Sequence, residues 1–251
     1  MILTIVILVA LTIAIIVFGL APRMAEARVV YRVEPDPPSP FGYKMAWLAL
    51  RTRNTERVLS VLGLAGAEPA NWESGIGTVY DETLGEHRVF VSPPVDGWTF
   101  VVGLALPYPV GRTFHDKCTP LLLDTAEAFE EVQYFFTYPL IDFFAWARLV
   151  DGKLVRAFAI GDEGIVWNKG KATREEKALG LKLFELRGVR DRKGDAGGEL
   201  ILHPTEEHVM RLARQWSVDP IEIDRNWRQK GVGYIAPAPA HWRPERMRKT
   251  A

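Results

Sequence analysis

The chain has 251 residues, with 31 basic and 31 acidic side chains and so no formal net charge. Beyond an apolar N-terminal stretch, about 230 residues remain, enough for one ordinary domain with a real core. The only cysteine, Cys118, excludes an intramolecular disulfide and is compatible with a reducing compartment.

Residues 2–21 carry no charged side chain and only two polar ones, Thr4 and Thr12. At a helical rise of ~1.5 Å per residue this run spans ~30 Å, the hydrocarbon thickness of a bilayer. Pro22 and Arg23 end it where charge begins. A single transmembrane helix over 2–21 is therefore expected, with the lipid bilayer as its partner. A cleaved secretory signal is the alternative, because Ala25-Glu26-Ala27 has the small-x-small form of a cleavage site. No Lys or Arg precedes the apolar run, and it exceeds the usual signal core of roughly 7–15 residues. Arg23, Arg28, Arg32 and Lys44 come after the segment, so the positive-inside rule puts the globular part in the cytoplasm. A secreted or periplasmic domain is the outcome if the segment is cleaved.

Residues 22–42 form a proline-rich linker, with four prolines between Glu34 and Pro40. Such a stretch favours polyproline II and predicts a stiff spacer. The globular domain is expected over 43–220. Tyr43–Thr52 predicts a strand. Asn54 predicts a helix cap, with Val58, Val61 and Leu62 on one face and Gly63 as the stop. Arg88–Ser92 and Trp98–Val102 predict strands around an Asp96-Gly97 turn. Thr119-Pro120 predicts a helix start leading through Leu121–Glu131. Val132–Tyr138, Phe143–Val150, Lys153–Ile160 and Gly164–Trp167 predict four successive strands. Asp151-Gly152 predicts a two-residue type I′ hairpin that pairs Leu149 with Leu154, Ala147 with Arg156 and Ala145 with Phe158. Helices are expected at Thr173–Gly180 and Pro204–Trp216. The second carries Val209, Leu212, Ala213 and Trp216 as a core-facing stripe. Arg187–Glu199 predicts a flexible loop. Together these elements imply an α+β fold class, a mainly antiparallel sheet with packed helices.

Eight aromatics fall between Phe129 and Trp146. The adjacent pairs Phe135/Phe136 and Phe143/Phe144 point to opposite faces of their strands. Either both faces of the sheet are covered, or one offers an aromatic surface to a protein partner.

Three arrangements resemble catalytic or metal sites. His115 precedes Cys118 by three residues at a helix start, with Asp116 available to orient the imidazole, which outlines a thiol enzyme. The bland account makes Cys118 a small apolar filler. His203 and His208 lie five apart, whereas a helical zinc pair needs four, so no metal is expected. Trp72-Glu-Ser-Gly-Ile-Gly77 lacks the glycine that a nucleophile elbow needs two residues before its serine, and lacks the third glycine of a phosphate loop. Its glycines instead predict a turn beneath a packed Trp72. No cofactor fingerprint and no catalytic set emerge.

Residues 221–251 are expected to form a basic tail that packs loosely or not at all. From Arg225 onward seven Lys or Arg face one acid, Glu245. The bland account is a solvated tail; the alternative is that its charge engages anionic lipid headgroups. Nucleic acid would be its competing use and is not expected.

At Asn71-Trp-Glu-Ser-Gly75, Val89–Thr99, Glu131–Phe135, Trp146–Ala159 and Arg214–Pro220 the chain resembles a group of uncharacterised bacterial α+β proteins. The resemblance covers Ala46–Pro220 and implies a soluble domain without a known activity, to which the membrane segment is an addition. The expectation is a membrane-anchored, non-catalytic module that engages a protein partner through its sheet or through the loops of Trp72 and Trp98.

Overall fold

The computed structural model describes residues 29–111, 114–162, 164–181 and 204–245. The apolar segment 2–21 and the glycine-rich loop 187–199 lie outside these residues. Among the described residues no helix is long and apolar enough to cross a membrane.

A compact unit begins at Tyr31, and within it nine strands build one sheet. They are β1 (Ala46–Leu50), β2 (Glu68–Asn71), β3 (Arg88–Val91), β4 (Thr99–Val102), β5 (Glu131–Tyr138), β6 (Phe143–Val150), β7 (Lys153–Gly161), β8 (Gly164–Lys169) and β9 (Val232–Pro237). Their order is β2-β9-β3-β4-β1-β5-β6-β7-β8, and every neighbouring pair is antiparallel. Six helices accompany them among the described residues: α1 (Thr55–Val61), α2 (Trp72–Tyr80), α3 (Cys118–Ala128), α4 (Arg174–Ala178), α5 (Glu206–Trp216) and α6 (Ile223–Asn226). The expected α+β class with a mainly antiparallel sheet is what the chain forms.

Period-two alternation sorts each strand's side chains into two cores. Trp47, Phe90, Phe100, Phe135, Trp146 and Phe158 fill one face, closed by α2 and by the Val209/Leu212/Ala213/Trp216 stripe of α5. Leu48, Val89, Val101, Tyr134, Phe136 and Phe143 fill the other, closed by α1 and by Cys118, Leu122 and Ala126 of α3. Both faces are therefore covered, and the aromatics of β5 and β6 are core. Ala145, Ala147, Ala157 and Ala159 share the second face, where their small size lets α3 approach the strands closely.

Local chemistry explains the ends of these elements. The Asn54 side chain accepts from Arg57 N–H at 2.8 Å, and Gly63 adopts φ +63° after α1. Asp96-Gly97 and Asp151-Gly152 both turn with positive φ at each residue, as type I′ hairpins require.

The register across the second hairpin differs from simple counting. Leu149 does face Leu154, but Arg148 faces Arg156, Ala147 faces Ala157 and Ala145 faces Ala159. A bulge inserts Val155 as an unpaired residue and leaves it exposed. Without that extra residue Arg156 would lie on the opposite face of the sheet.

Three other expectations are corrected. Trp72–Gly77 is not a turn but the first part of α2. Its Asn71 cap accepts from Ser74 N–H, and a β-carbon on Gly75 would lie 2.2 Å from the Phe90 ring. The proline segment is not a free spacer. Its Arg32 carbonyl accepts from Asn71 N–H, Phe41 is buried between Trp47 and Phe100, and the Asp36 carboxylate accepts from Trp72 and Glu73 N–H at 2.7 and 2.9 Å. Nor is the C-terminal segment loose as far as it is described. β9 lies between β2 and β3, and Trp242 is buried beyond it. Pro69, which donates no hydrogen bond, is accommodated because β2 is an edge strand.

Candidate functional site

The residues singled out as possible actors are mostly structural. Cys118 is 1% exposed, and burial together with the nearby Asp116 carboxylate pushes its thiol well above the usual range. A nucleophilic cysteine needs the reverse. Asp116 turns toward the helix rather than toward an imidazole, accepting from Cys118 and Thr119 N–H at 2.9 Å each. The Cys118 thiol is thus buried, and the Asp116 carboxylate is engaged at the helix start. His208 accepts from Thr205 N–H at 3.1 Å through Nδ1 and completes a reciprocal cap on α5, while His203 lies outside the described residues. Among the described residues no group of three or more His, Cys, Asp or Glu side chains is arranged to hold a metal ion.

Trp72 is fully buried and Trp98 is 4% exposed, with the Arg51 guanidinium 5.0 Å above its ring. Both belong to the first core and present no ring to a partner. The basic side chains of the C-terminal segment are split. Arg225 pairs with Glu222 at 3.2 Å, whereas Arg246, Arg248 and Lys249 lie outside the described residues.

One buried charge pair stands apart from the apolar core. Arg156 and Glu176 are 1% and 0% exposed, joined by Nε–carboxylate contacts of 2.8 and 2.9 Å. Glu176 also accepts from the Trp146 indole at 2.9 Å and from Thr173 N–H at 2.6 Å. The guanidinium donates further to the Ala157 and Lys169 carbonyls and to the Asn168 amide oxygen. These groups satisfy one another internally, and the network joins β6, β7, β8 and α4 rather than addressing a ligand.

A concave site lies elsewhere, in a cleft of about 410 Å³. Four segments enclose it: Glu86 and His87 ahead of β3, 104–110 after β4, His115 and Lys117 ahead of α3, and 238–244 after β9. Backbone bonds from Ala238 N–H to the His87 carbonyl (2.9 Å) and from His115 N–H to the Glu245 carbonyl (3.0 Å) tie these segments together. Leucine, alanine, proline, valine and aromatic side chains make most of the wall.

The polar groups of the wall include both donors and acceptors. Trp242 is 3% exposed, and its indole Nε1 is buried without an acceptor. Lys117 lies 3.5 Å from the Glu245 carboxylate, and His87 lies 3.8 Å from Glu86. The Arg243 guanidinium has no carboxylate partner among the described residues. Sequence reasoning missed this site because its parts come from four places in the chain, three of them loops. The cluster of prolines and Trp242 near the C-terminus was its only local trace.

No known protein family, curated protein or solved structure matches this chain. Its function has to be read from the chemistry of the site.

Proposed function

We propose that this protein is a membrane-tethered, non-catalytic binding module that recognises its ligand in the cleft between the β4–α3 segment and the C-terminal segment. The tether is residues 2–21, supported by their uncharged run and by the arginines after it, with the domain on the cytoplasmic side. Among the described residues α1 and α3 cover one side of the sheet and α2 and α5 the other, which argues against a sheet-wide protein interface. The observation that carries the reading is the cleft: apolar walls with a few polar groups, His115, Lys117 and Arg243 among them. Its volume falls in the range of small-ligand sites, roughly 300–1,000 Å³.

The test is photocrosslinking in the native host. A photoreactive residue replaces Leu104 on the cleft wall in the full-length chain, or Leu123, an exposed residue outside it. A discrete adduct at position 104 and none at 123 is expected; equal or absent adducts at both sites would overturn the reading. Cytoplasm-active and periplasm-active reporters fused after Ala251 test the tether and its direction. A periplasmic signal with a shortened chain would replace the anchor with a cleaved leader.

A further inference from the structure

We infer that the cleft takes an uncharged, largely apolar molecule, a hydrocarbon chain or ring system bearing no more than a hydroxyl or a carbonyl. This deepens the reading of the cleft as a binding site and rests on it. The floor of the cleft is the outer skin of the second core. Leu106 and Trp242 are 2% and 3% exposed and belong to that core, while Tyr108 and Ala238 pack against it. The Tyr108 ring is braced by Phe136 and Phe143, with ring centres 5.6 and 5.9 Å away. The apolar floor is thus built before any ligand arrives. Leu104, 37% exposed on the same wall, offers further apolar surface for a guest to cover.

The charged groups of the wall make no demand on a ligand. Glu86 lies 3.8 Å from the His87 ring, and Lys117 lies 3.5 Å from the Glu245 carboxylate, so each carboxylate already has a basic neighbour. Arg243 is exposed, and a long cationic side chain keeps its head in water while its stem covers apolar surface. An ion driven onto this floor would shed water and meet either apolar surface or a group already paired, a loss with nothing to offset it. A neutral apolar guest escapes that loss and gains by covering the floor. Its one polar atom can meet His115, exposed on the wall, whose neutral imidazole both donates and accepts.

The experiment uses the full-length chain in phosphatidylcholine nanodiscs and three photoreactive decyl probes, ending in a hydroxyl, a carboxylate or a trimethylammonium group. Each is titrated at known free concentration, and the labelled peptides are mapped by mass spectrometry. The alcohol probe is expected to label segments 104–110 and 238–244 saturably and to be displaced by excess 1-decanol. Both charged probes are expected to half-saturate at about tenfold higher concentration. Leu104→Lys, at an exposed position that the fold tolerates, should weaken the alcohol probe by about tenfold. Glu245→Gln frees the Lys117 ammonium and should tighten the carboxylate probe by about fivefold while leaving the alcohol unchanged. A charged probe that binds the unsubstituted chain as tightly as the alcohol, or an alcohol probe that labels no cleft segment saturably, overturns the inference. A discrete host adduct at position 104 alongside either result would keep the cleft as a binding site and remove only the neutral ligand class.

Discussion

Glu176→Ala is expected to destabilise the domain by about 4 kcal/mol, the middle of the ~3–5 kcal/mol range for breaking one side of a buried ion pair. Three donors converge on that carboxylate: Arg156 Nε, the Trp146 indole and Thr173 N–H. Truncation leaves Arg156 charged and 1% exposed, and orphans two neutral donors beside it. The Ala157, Asn168 and Lys169 oxygens remain on the guanidinium and keep the cost from exceeding that range. Glu176→Gln, which retains an acceptor oxygen, should cost roughly half as much. For a domain of this size ~2–4 °C is lost per kcal/mol, so Glu176→Ala should lower Tm by about 8–16 °C. Urea unfolding of the full-length chain in detergent, followed by tryptophan fluorescence, gives the free energy directly. A loss below about 1 kcal/mol would refute the reasoning, because it would mean that Arg156 is hydrated and the network is no part of the core.

Gly75→Ala should destabilise by about 1–3 kcal/mol, since its β-carbon would meet the buried Phe90 ring at 2.2 Å, whereas Gly77→Ala, with open space around it in the same helix, should be neutral or stabilising by about 0.5–1 kcal/mol. Paired thermal melts compare the two. Iodoacetamide should label Cys118 in the native protein far more slowly than a free thiol, and the rate should rise with urea in step with unfolding; rapid labelling of the folded chain would refute the burial argument. Burial first, then Arg211, lowers the pKa of His208, with Glu207 opposing. The neutral imidazole is thus favoured in the fold. Its contribution is complete above the ordinary histidine value and is lost as pH falls through the lowered one. His208→Asn should flatten that part of the stability–pH curve below pH ~6.5, read by thermal melts from neutral to mildly acidic pH.

Local chemistry in the sequence determined much of this protein. Asn54, Gly63, the two Asp-Gly turns and the apolar stripe of α5 act over a few residues, so their outcome is written within a single stretch of chain. Alternation in β1, β5 and β6 likewise put aromatics on both faces, because adjacent aromatics on a strand cannot share one side; the helices packed on each face decided that both are covered. Tertiary structure decided the rest, wherever partners come from far away. Residues 232–237 hold too little hydrophobic pattern to declare a strand, and become one because β2 and β3 offer unpaired edges on both sides. The proline segment is tied down by Asn71 and by Asp36 at the start of α2, contacts between residues 36 to 39 positions apart that composition alone does not reveal. Val155 bulges out and turns Arg156 toward Glu176, a one-residue shift that no local signal marks. The cleft is the extreme case. Its wall joins Glu86 to Pro244, and its chemistry exists only once four separate segments are folded against one another.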